Sequence, residues 1–538
     1  MRCPASACAW CSRTSSQFRW PALVPGLCCL WCGGKNVRVV CESSVTYGNF
    51  SGGWEMKWSG RFCGWYLAAA MVAALSLGRT CLGTCEDGNP SDRPNFLFIL
   101  TDDLGWGDLS CYGNTRFRTP NLDRLAQEGI LFTQYYQAGS VCSPSRAALL
   151  TSRYPAELRL HGHLAQPEQN AARDMPNFMD PSVPTLAQLL RSAGYATIHV
   201  GKWHLGRPNP QDPGLEIYGF EMARWIDCRE GERNLWQLEE RPTGTKVLVD
   251  TTIELLKQVK GRPFYCQLWL HDPHAPLNPP AELMEKFRRS TPQGFTSPFM
   301  VYAATVVEMD RQIGRLIQAL EEMGLRENTV IIFSSDNGPE DIDIGNAAWS
   351  AYGSAGPLRG RKRSLYEGGI RVPFIVSWPA GAPAGQINNT TVICGVDFLP
   401  TLCELAGVPL PETVRESIRG ESLAAAFRGQ VDCQRTKPLF WQWRFRVFNH
   451  PWNRSPILAV REGPWKLLLN PDLSRVELYN IPEDPGEQTN RAAEHPEIVD
   501  RLKQMALDWH HSLPPGRFDR EAGQADYPWP GTGSQTSR

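Results

Sequence analysis

From Asn95 onward the hydrophobic and polar positions repeat in one order: a short apolar run, a polar patch, then a longer stretch with helical spacing. The run 95–101 (Asn-Phe-Leu-Phe-Ile-Leu-Thr) is continuously apolar and ends on polar residues, which predicts a strand buried on both faces. Residues 119–129 place Leu122, Leu125 and Ala126 on one helical face, with Gly129 as the stop. Residues 144–151 predict a second helix with Pro144 in its first turn. Runs at 195–200 and 263–270 predict further strands, each after a helical stretch. Another at 329–334 follows a helix over 301–324, and 373–377 closes the series. Strands alternating with helices predict an α/β domain over 93–435, a largely parallel sheet sandwiched by helices. Such sheets hold their ligands beyond the carboxyl ends of the strands.

After about residue 435 the period changes. Short strands at 457–460, 465–469 and 476–479 are separated by Gly463-Pro464 and Asn470-Pro471-Asp472, and 496–512 reads as a closing amphipathic helix. This predicts a smaller α+β domain over 436–513 with an antiparallel sheet, then an irregular Pro/Gly-rich tail over 514–538. No internal repeat is found. Upstream, Met56, Lys57 and Arg61 precede an apolar stretch at 65–77, so 56–84 predicts a signal peptide. The stretch is short for a membrane span, so no stable span is expected in the mature protein. Residues 1–55 are read as the product of a misplaced start codon, absent from the mature chain. Export makes the protein secreted or periplasmic, or lysosomal in a eukaryote.

Ten of 17 cysteines lie within the first 85 residues. The other seven (Cys111, Cys142, Cys228, Cys266, Cys394, Cys403 and Cys433) are too sparse for a disulfide framework. The formal net charge of −1 gives no global reason to expect nucleic acid or an anionic membrane as partner. An anionic substrate must therefore meet local cations.

The candidate residues for such a site sit at the expected strand ends. Asp102-Asp103 ends the first strand, Gly201-Lys202-Trp203-His204 follows another, His271-Asp272-Pro273-His274 a third and Ser335-Asp336-Asn337-Gly338 a fourth. Each motif alone is commonly a turn or a cap. Four such ends on one sheet edge are hard to ascribe to turns. Asp102, Asp103, Asp336 and Asn337 supply carboxylate and amide oxygens suited to a hard cation, Ca²⁺ or Mg²⁺. His161-Gly162-His163 and Trp441-Gln442-Trp443-Arg444 are candidates for a sugar pocket, with loop packing the competing reading.

The segment Val141-Cys142-Ser143-Pro144-Ser145-Arg146, followed by Thr151-Ser152-Arg153, contains the pattern Cys-x-Pro-Ser-Arg. Its four fixed positions arise by chance in a chain this long with odds on the order of one in a thousand. Together with 93–108, 119–129, 201–204, 273–276, 334–338 and 362–369, it resembles the formylglycine-dependent sulfatase family of the alkaline phosphatase superfamily over roughly 93–490. Ser364 stands where that family's Lys-x-Thr-x-x-Glu-Gly-Gly block has threonine.

The resemblance implies an alkaline-phosphatase-like fold and a sulfuric ester hydrolase releasing sulfate from a sulfated saccharide or aryl sulfate. Cys142 would be oxidised to formylglycine by a formylglycine-generating or other sulfatase-maturing enzyme. Asp102, Asp103, Asp336 and Asn337, with the modified residue 142, would hold Ca²⁺. Arg146, Lys202 and Lys362 would neutralise the sulfonyl oxygens, and His274 would protonate the leaving alkoxide. His204 would take the proton from the second formylglycine hydroxyl, though the two histidines can exchange roles. Competing readings are a phosphodiesterase or phosphonate monoester hydrolase of the same superfamily, and a non-catalytic binder of sulfated glycans.

Overall fold

The computed structural model describes residues 93–206, 212–225, 234–289 and 297–528. The expected signal segment at 56–84 and the residues before it lie outside these. Ten short strands build the larger body: β1 (Asn95–Thr101), β2 (Ile130–Phe132), β3 (Tyr135–Tyr136), β4 (Ala196–Gly201), β5 (Met222–Trp225), β6 (Phe264–Trp269), β7 (Thr329–Ser335), β8 (Phe374–Ser377), β9 (Gln386–Asn388) and β10 (Ile393–Cys394). Eight of them form one sheet in the order β5-β4-β6-β1-β7-β8-β2-β9, and β3 pairs with β10. Only β8 runs against the others, antiparallel to both β7 and β2. The expected largely parallel sheet is therefore observed, with one reversed strand that 373–377 gave no means of orienting.

Central β1 explains why the run 95–101 is apolar throughout. It pairs with β6 on one side and β7 on the other, Leu97 opposite Cys266 and Ile331. Phe96, Phe98 and Leu100 enter one core with Leu149, Leu150, Leu186 and Leu402. Leu97 and Ile99 enter the other, with Leu122, Leu125, Leu248, Val306 and Leu316. Successive side chains alternate between faces, so a strand covered by helices on both sides needs no polar positions. The helices Cys142–Thr151 and Leu186–Ser192 cover the first face, and Pro120–Gln127, Arg241–Gln258 and Pro298–Glu322 the second. No helix among the described residues is long and apolar enough to cross a membrane. Every cysteine among them is free.

The second sheet is a four-stranded antiparallel meander: β11 (Leu439–Gln442), β12 (Leu458–Glu462), β13 (Trp465–Leu469) and β14 (Val476–Asn480). Three of these strands follow from the sequence pattern, whereas β11 is an addition. One face packs Leu458, Val460, Leu467 and Leu469 under Leu502 and Ala506 of the helix Pro496–Ser512. The other sets Ala459, Leu468 and Trp441 against Tyr136, Ala148 and Ile370 of the larger body. From 513 to 528 the chain has neither helix nor strand.

A buried ion cluster fastens this contact. Lys466 Nζ on β13 lies 2.9 Å from Glu367 and 3.0 Å from Glu487, and all three side chains are fully buried. Burial would raise the Glu367 pKa, yet Lys466, Arg371 and Arg461 hold it down at about 2. Burial and the charge of Glu367 push Glu487 up to about 7, Lys466 opposing them. Removing one member of a buried ionic cluster typically costs ~3–5 kcal/mol. Lys466→Ala should therefore lower unfolding stability by about that amount in a denaturant titration. A loss under about 1 kcal/mol would show that the cluster does not fasten the sheet.

Candidate active site

The ladder of the main sheet runs one residue past its strands and so sets the side chains of the edge side by side. The Asp102 amide donates to Asp272 O, the Asp336 amide to Thr101 O and the Lys202 amide to Trp269 O. Asp103 then leaves the strand with φ 67°, a left-handed conformation that aspartate tolerates better than most residues and that clusters at functional sites. Gly338 must lack a side chain, because a Cβ there would lie 1.9 Å from Gly368 O. Its amide donates to Gly369 O at 3.0 Å, which draws the 362–369 loop onto the end of β7.

Three carboxylates meet at this edge, each with its own buried cation. Lys202 Nζ bonds Asp102 Oδ2. Lys362 Nζ bonds the Asp103 carboxylate at 2.6–2.7 Å and lies 3.4 Å from Glu340. Arg146 donates Nε and Nη2 to Asp336 Oδ2 at 3.0 and 2.6 Å, and Nη1 to Lys202 O. Burial alone would raise Asp102, but Lys202, His274, Arg146 and Lys362 together hold it well below the usual carboxylate range. Burial and the charge of Asp102 push Asp336 well above that range despite Arg146. Burial disfavours the charge on both lysines, yet Asp102 and Asp103 keep Lys202 and Lys362 above the ordinary lysine value.

Cys142 opens the helix Cys142–Thr151, and Arg146 lies one turn along it. The helix starts two residues earlier than Pro144 suggested, because a first-turn proline gives up only an amide that has no helical partner. Ser145 Oγ ties the turn to Gly139 O at 2.9 Å and Val141 O at 3.0 Å. The Cys142 sulfur and one oxygen each of Asp102 and Asp336 lie within 4.8 Å of one another, as do oxygens of Asp102 and Asp103 with a nitrogen of His274.

The two histidines differ in hydrogen bonding. His204 Nε2 donates to Leu164 O at 2.9 Å, which leaves Nδ1 as a lone-pair nitrogen, buried and without a partner among the described residues. Burial, then Lys202 and Arg146, lower its pKa to about 3. His274 Nδ1 donates to Ala275 O at 2.6 Å, and Nε2 lies 3.7 Å from Asp103 Oδ2. Burial lowers it to about 4, with Asp102 pulling upward.

The oxygens fit a divalent cation by an independent sign. Asp102 Oδ1 and Asn337 Oδ1 are buried and have no hydrogen-bond partner among the described residues. Asn337 Nδ2 is committed to Asp103 Oδ1 at 2.7 Å, which fixes the orientation of the amide. Crowded carboxylates with orphaned oxygens are the donor set of a hard cation.

All the residues expected at the site converge on one edge: Asp102, Asp103, Cys142, Arg146, Lys202, His204, His274, Asp336, Asn337 and Lys362. Sequence reasoning missed their supports. Arg363 pairs with Glu340, whose Oε1 also accepts the Asp341 amide at 2.7 Å. Arg241 Nη2 donates to Asp272 Oδ1 at 3.0 Å and to His274 O, and the Trp236 ring stands edge-on to His274 at 5.4 Å. Ser364 Oγ accepts the Tyr366 amide at 3.2 Å, a role a threonine hydroxyl fills equally. The sugar-pocket candidates divide. Trp441 turns inward and donates to Gln137 O, and Arg444 is buried with its guanidinium over the Phe518 ring. His161 and Trp443 are buried as well, so His163 is left to border an open cleft, with Trp443 packed into its wall.

The family model described as Sulfatase matches residues 94–408, and one described as "N-sulphoglucosamine sulphohydrolase, C-terminal" matches 360–511. N-acetylgalactosamine-6-sulfatase of Canis lupus familiaris is 31% identical over 84% of this chain and 92% of its own. Human arylsulfatase A is 29% identical over 77% and 87%. The crystal structure of Ps i-CgsB in complex with k-i-k-neocarrahexaose shares the fold, with a TM-score of 0.65 at 24% identity over 80% of this chain and 96% of that one. Matches that run through both the strand-edge residues and the antiparallel sheet, and over most of each relative, identify the chain as a member of the sulfatase family, an enzyme that hydrolyses sulfate esters.

Proposed function

We propose that the enzyme releases inorganic sulfate from sulfated sugars, using a formylglycine made from Cys142 by a sulfatase-maturing enzyme, after export by the signal segment at 56–84 to a secreted or periplasmic compartment. The observation that carries this reading is the convergence of Cys142 with three buried carboxylates and the cations Arg146, Lys202 and Lys362. Asp102, Asp103, Asp336 and Asn337 would hold Ca²⁺, or Mg²⁺, which supplies the positive charge that polarises a sulfate oxygen and eases ionisation of a neighbouring hydroxyl.

Hydrated formylglycine carries two hydroxyls on one carbon. One attacks sulfur and displaces the sugar oxygen, which leaves a sulfate ester on residue 142. The second hydroxyl then loses its proton, the aldehyde re-forms, and the carbon–oxygen bond to sulfate breaks. Serine has no such exit. Arg146, Lys202 and Lys362 neutralise charge spreading over the sulfonyl oxygens. His204 fits the base, because its Nδ1 is unprotonated and unpartnered. His274 fits the acid on the leaving-group side, since an incoming sulfate anion favours its imidazolium. The sugar assignment draws support from the N-acetylgalactosamine-6-sulfatase relative.

Protein made with a maturing enzyme should show, in the peptide carrying residue 142, the mass of an aldehyde in place of the thiol. Cys142→Ala should fold and be inactive, and Cys142→Ser should accumulate a slowly hydrolysed sulfate ester. Turnover by unmodified cysteine enzyme at the matured rate would sink the mechanism.

Chelation should abolish turnover, and Asp336→Ala should lose bound metal as read by elemental analysis. Full activity in metal-free enzyme would exclude the proposed cation site.

General acid catalysis is worth ~10²–10⁴-fold where the leaving group is poor. His274→Ala should therefore lose far more kcat on a sugar 6-sulfate than on nitrophenyl sulfate, whose phenolate leaves unaided. Equal losses on the two substrates would remove His274 from the acid role.

A further inference from the structure

Beside the catalytic edge opens a cleft of about 480 Å³, within the range of roughly 300–1,000 Å³ typical of small-ligand sites. It adjoins the chemistry on two sides. Arg363 on its wall follows Lys362, which bonds Asp103. His163, also on its wall, has its ring 6.4 Å from that of His204. A substrate whose ester reaches the edge would therefore extend into this cleft.

The lining combines arginines with aromatic rings. Arg363 is committed to Glu340 and contributes no surplus charge. The remaining cations are Arg173, Arg446 and Arg517. Among the described residues, Asp519 lies 3.8 Å from Arg446 and Asp174 3.8 Å from Arg517. Both contacts are long for ion pairs and can give way to a better acceptor. Arg173 is half-buried and donates to a carbonyl, His163 O, at 3.4 Å. Burial and the charge of Arg363 lower its pKa, with Asp519 opposing. The Arg446 and Arg517 side chains are exposed and Arg173 is half-buried, so all three guanidinium groups can meet an anion entering the cleft. Trp443 is buried in the wall, and the Phe445 and Phe448 rings lie under the guanidinium groups of Arg173 and Arg363, 5.5 and 4.6 Å from the ring centroids.

We infer that this cleft is a second-anion subsite, selecting saccharides that carry a further sulfate or carboxylate besides the ester being cleaved; the inference rests on the sulfated-sugar reading above. Planar guanidinium forks bind both groups in bidentate fashion, so the shared chemistry is an oxyanion on a neighbouring position or ring.

The test compares release of sulfate from a monosulfated hexosamine, its disulfated analogue, and a sulfated disaccharide with an adjacent uronic acid. Matured enzyme should favour the doubly charged substrates in kcat/KM by about tenfold or more, the worth of one charge-assisted contact. Arg173→Gln, and separately the double variant Arg446→Gln/Arg517→Gln, should reduce that ratio by a similar factor through KM. Whichever doubly charged substrate is favoured identifies the second anion. A wild-type ratio near one, or a ratio the variants leave intact, overturns the subsite. Hydrolysis of nitrophenyl sulfate tests the sulfatase chemistry separately. Calorimetric binding of the disulfated sugar to Cys142→Ala protein, with and without the arginine changes, judges the cleft without turnover, and a Kd unaffected by those changes overturns it.

Discussion

A carboxylate buried without a partner costs several kcal/mol, and this protein buries three at the end of one sheet. Each is matched by a cation from a different part of the chain: Lys202 for Asp102, Lys362 for Asp103 and Arg146 for Asp336. The ladder of the parallel strands fixes where the acids stand. The ion pairs then decide where the loop after β4, the 362–369 loop and the helix Cys142–Thr151 must lie. Cys142 is delivered to the edge by the same pairing, because Arg146 anchors the helix one turn behind it. The pairing is deliberately incomplete: Asp102 Oδ1 and Asn337 Oδ1 stay without partners, and Asp336 is strained by the charge of Asp102. Cations hold the acids together while a gap for a further positive charge remains.

Much of this was legible because the signals are local. The runs at 95–101 and 465–469 become strands with those same bounds, since a strand covered on both faces, or alternating between two cores, writes its burial directly into the sequence. The helix Pro298–Glu322 begins earlier than its apolar period, at a Ser297-Pro298 cap that the period cannot register. The strand-end motifs were readable because chemistry concentrates where parallel strands stop. The supports were not. Glu340 beneath Lys362, in a loop, and Arg241 behind His274, at the start of a helix, are single charged residues, and what gives them meaning is contact across the fold. Arg444 shows the opposite failure: its motif suggested a pocket, but the side chain is buried over Phe518.

The histidines show how far environment divides two like groups. Both are drawn below their ordinary value by burial, yet around His204 the cations Lys202 and Arg146 outweigh Asp102, while around His274 Asp102 and Asp103 are set against Lys362 and Lys202. Added negative charge near the edge therefore acts on two different balances. Around His204 it meets a surplus of cations, and around His274 it tips a balance between two aspartates and two lysines. The carbonyls of Leu164 and Ala275 complete the division by fixing which nitrogen of each ring carries hydrogen.

The antiparallel sheet belongs to this arrangement and is not an appendage. Lys362 and Glu367 lie five residues apart in one loop: the first reaches Asp103, and the second is clamped by Lys466 of β13. A shift of that sheet would pull on the loop that brings Lys362 to the edge. The same region supplies Trp443, Phe445, Arg446, Arg517 and Phe518 to the cleft beside the edge, whereas the reacting constellation comes from the larger body and the 362–369 loop. Cleft residues other than Arg363, which pairs with the Glu340 beneath Lys362, lie outside the ion pairs of the edge.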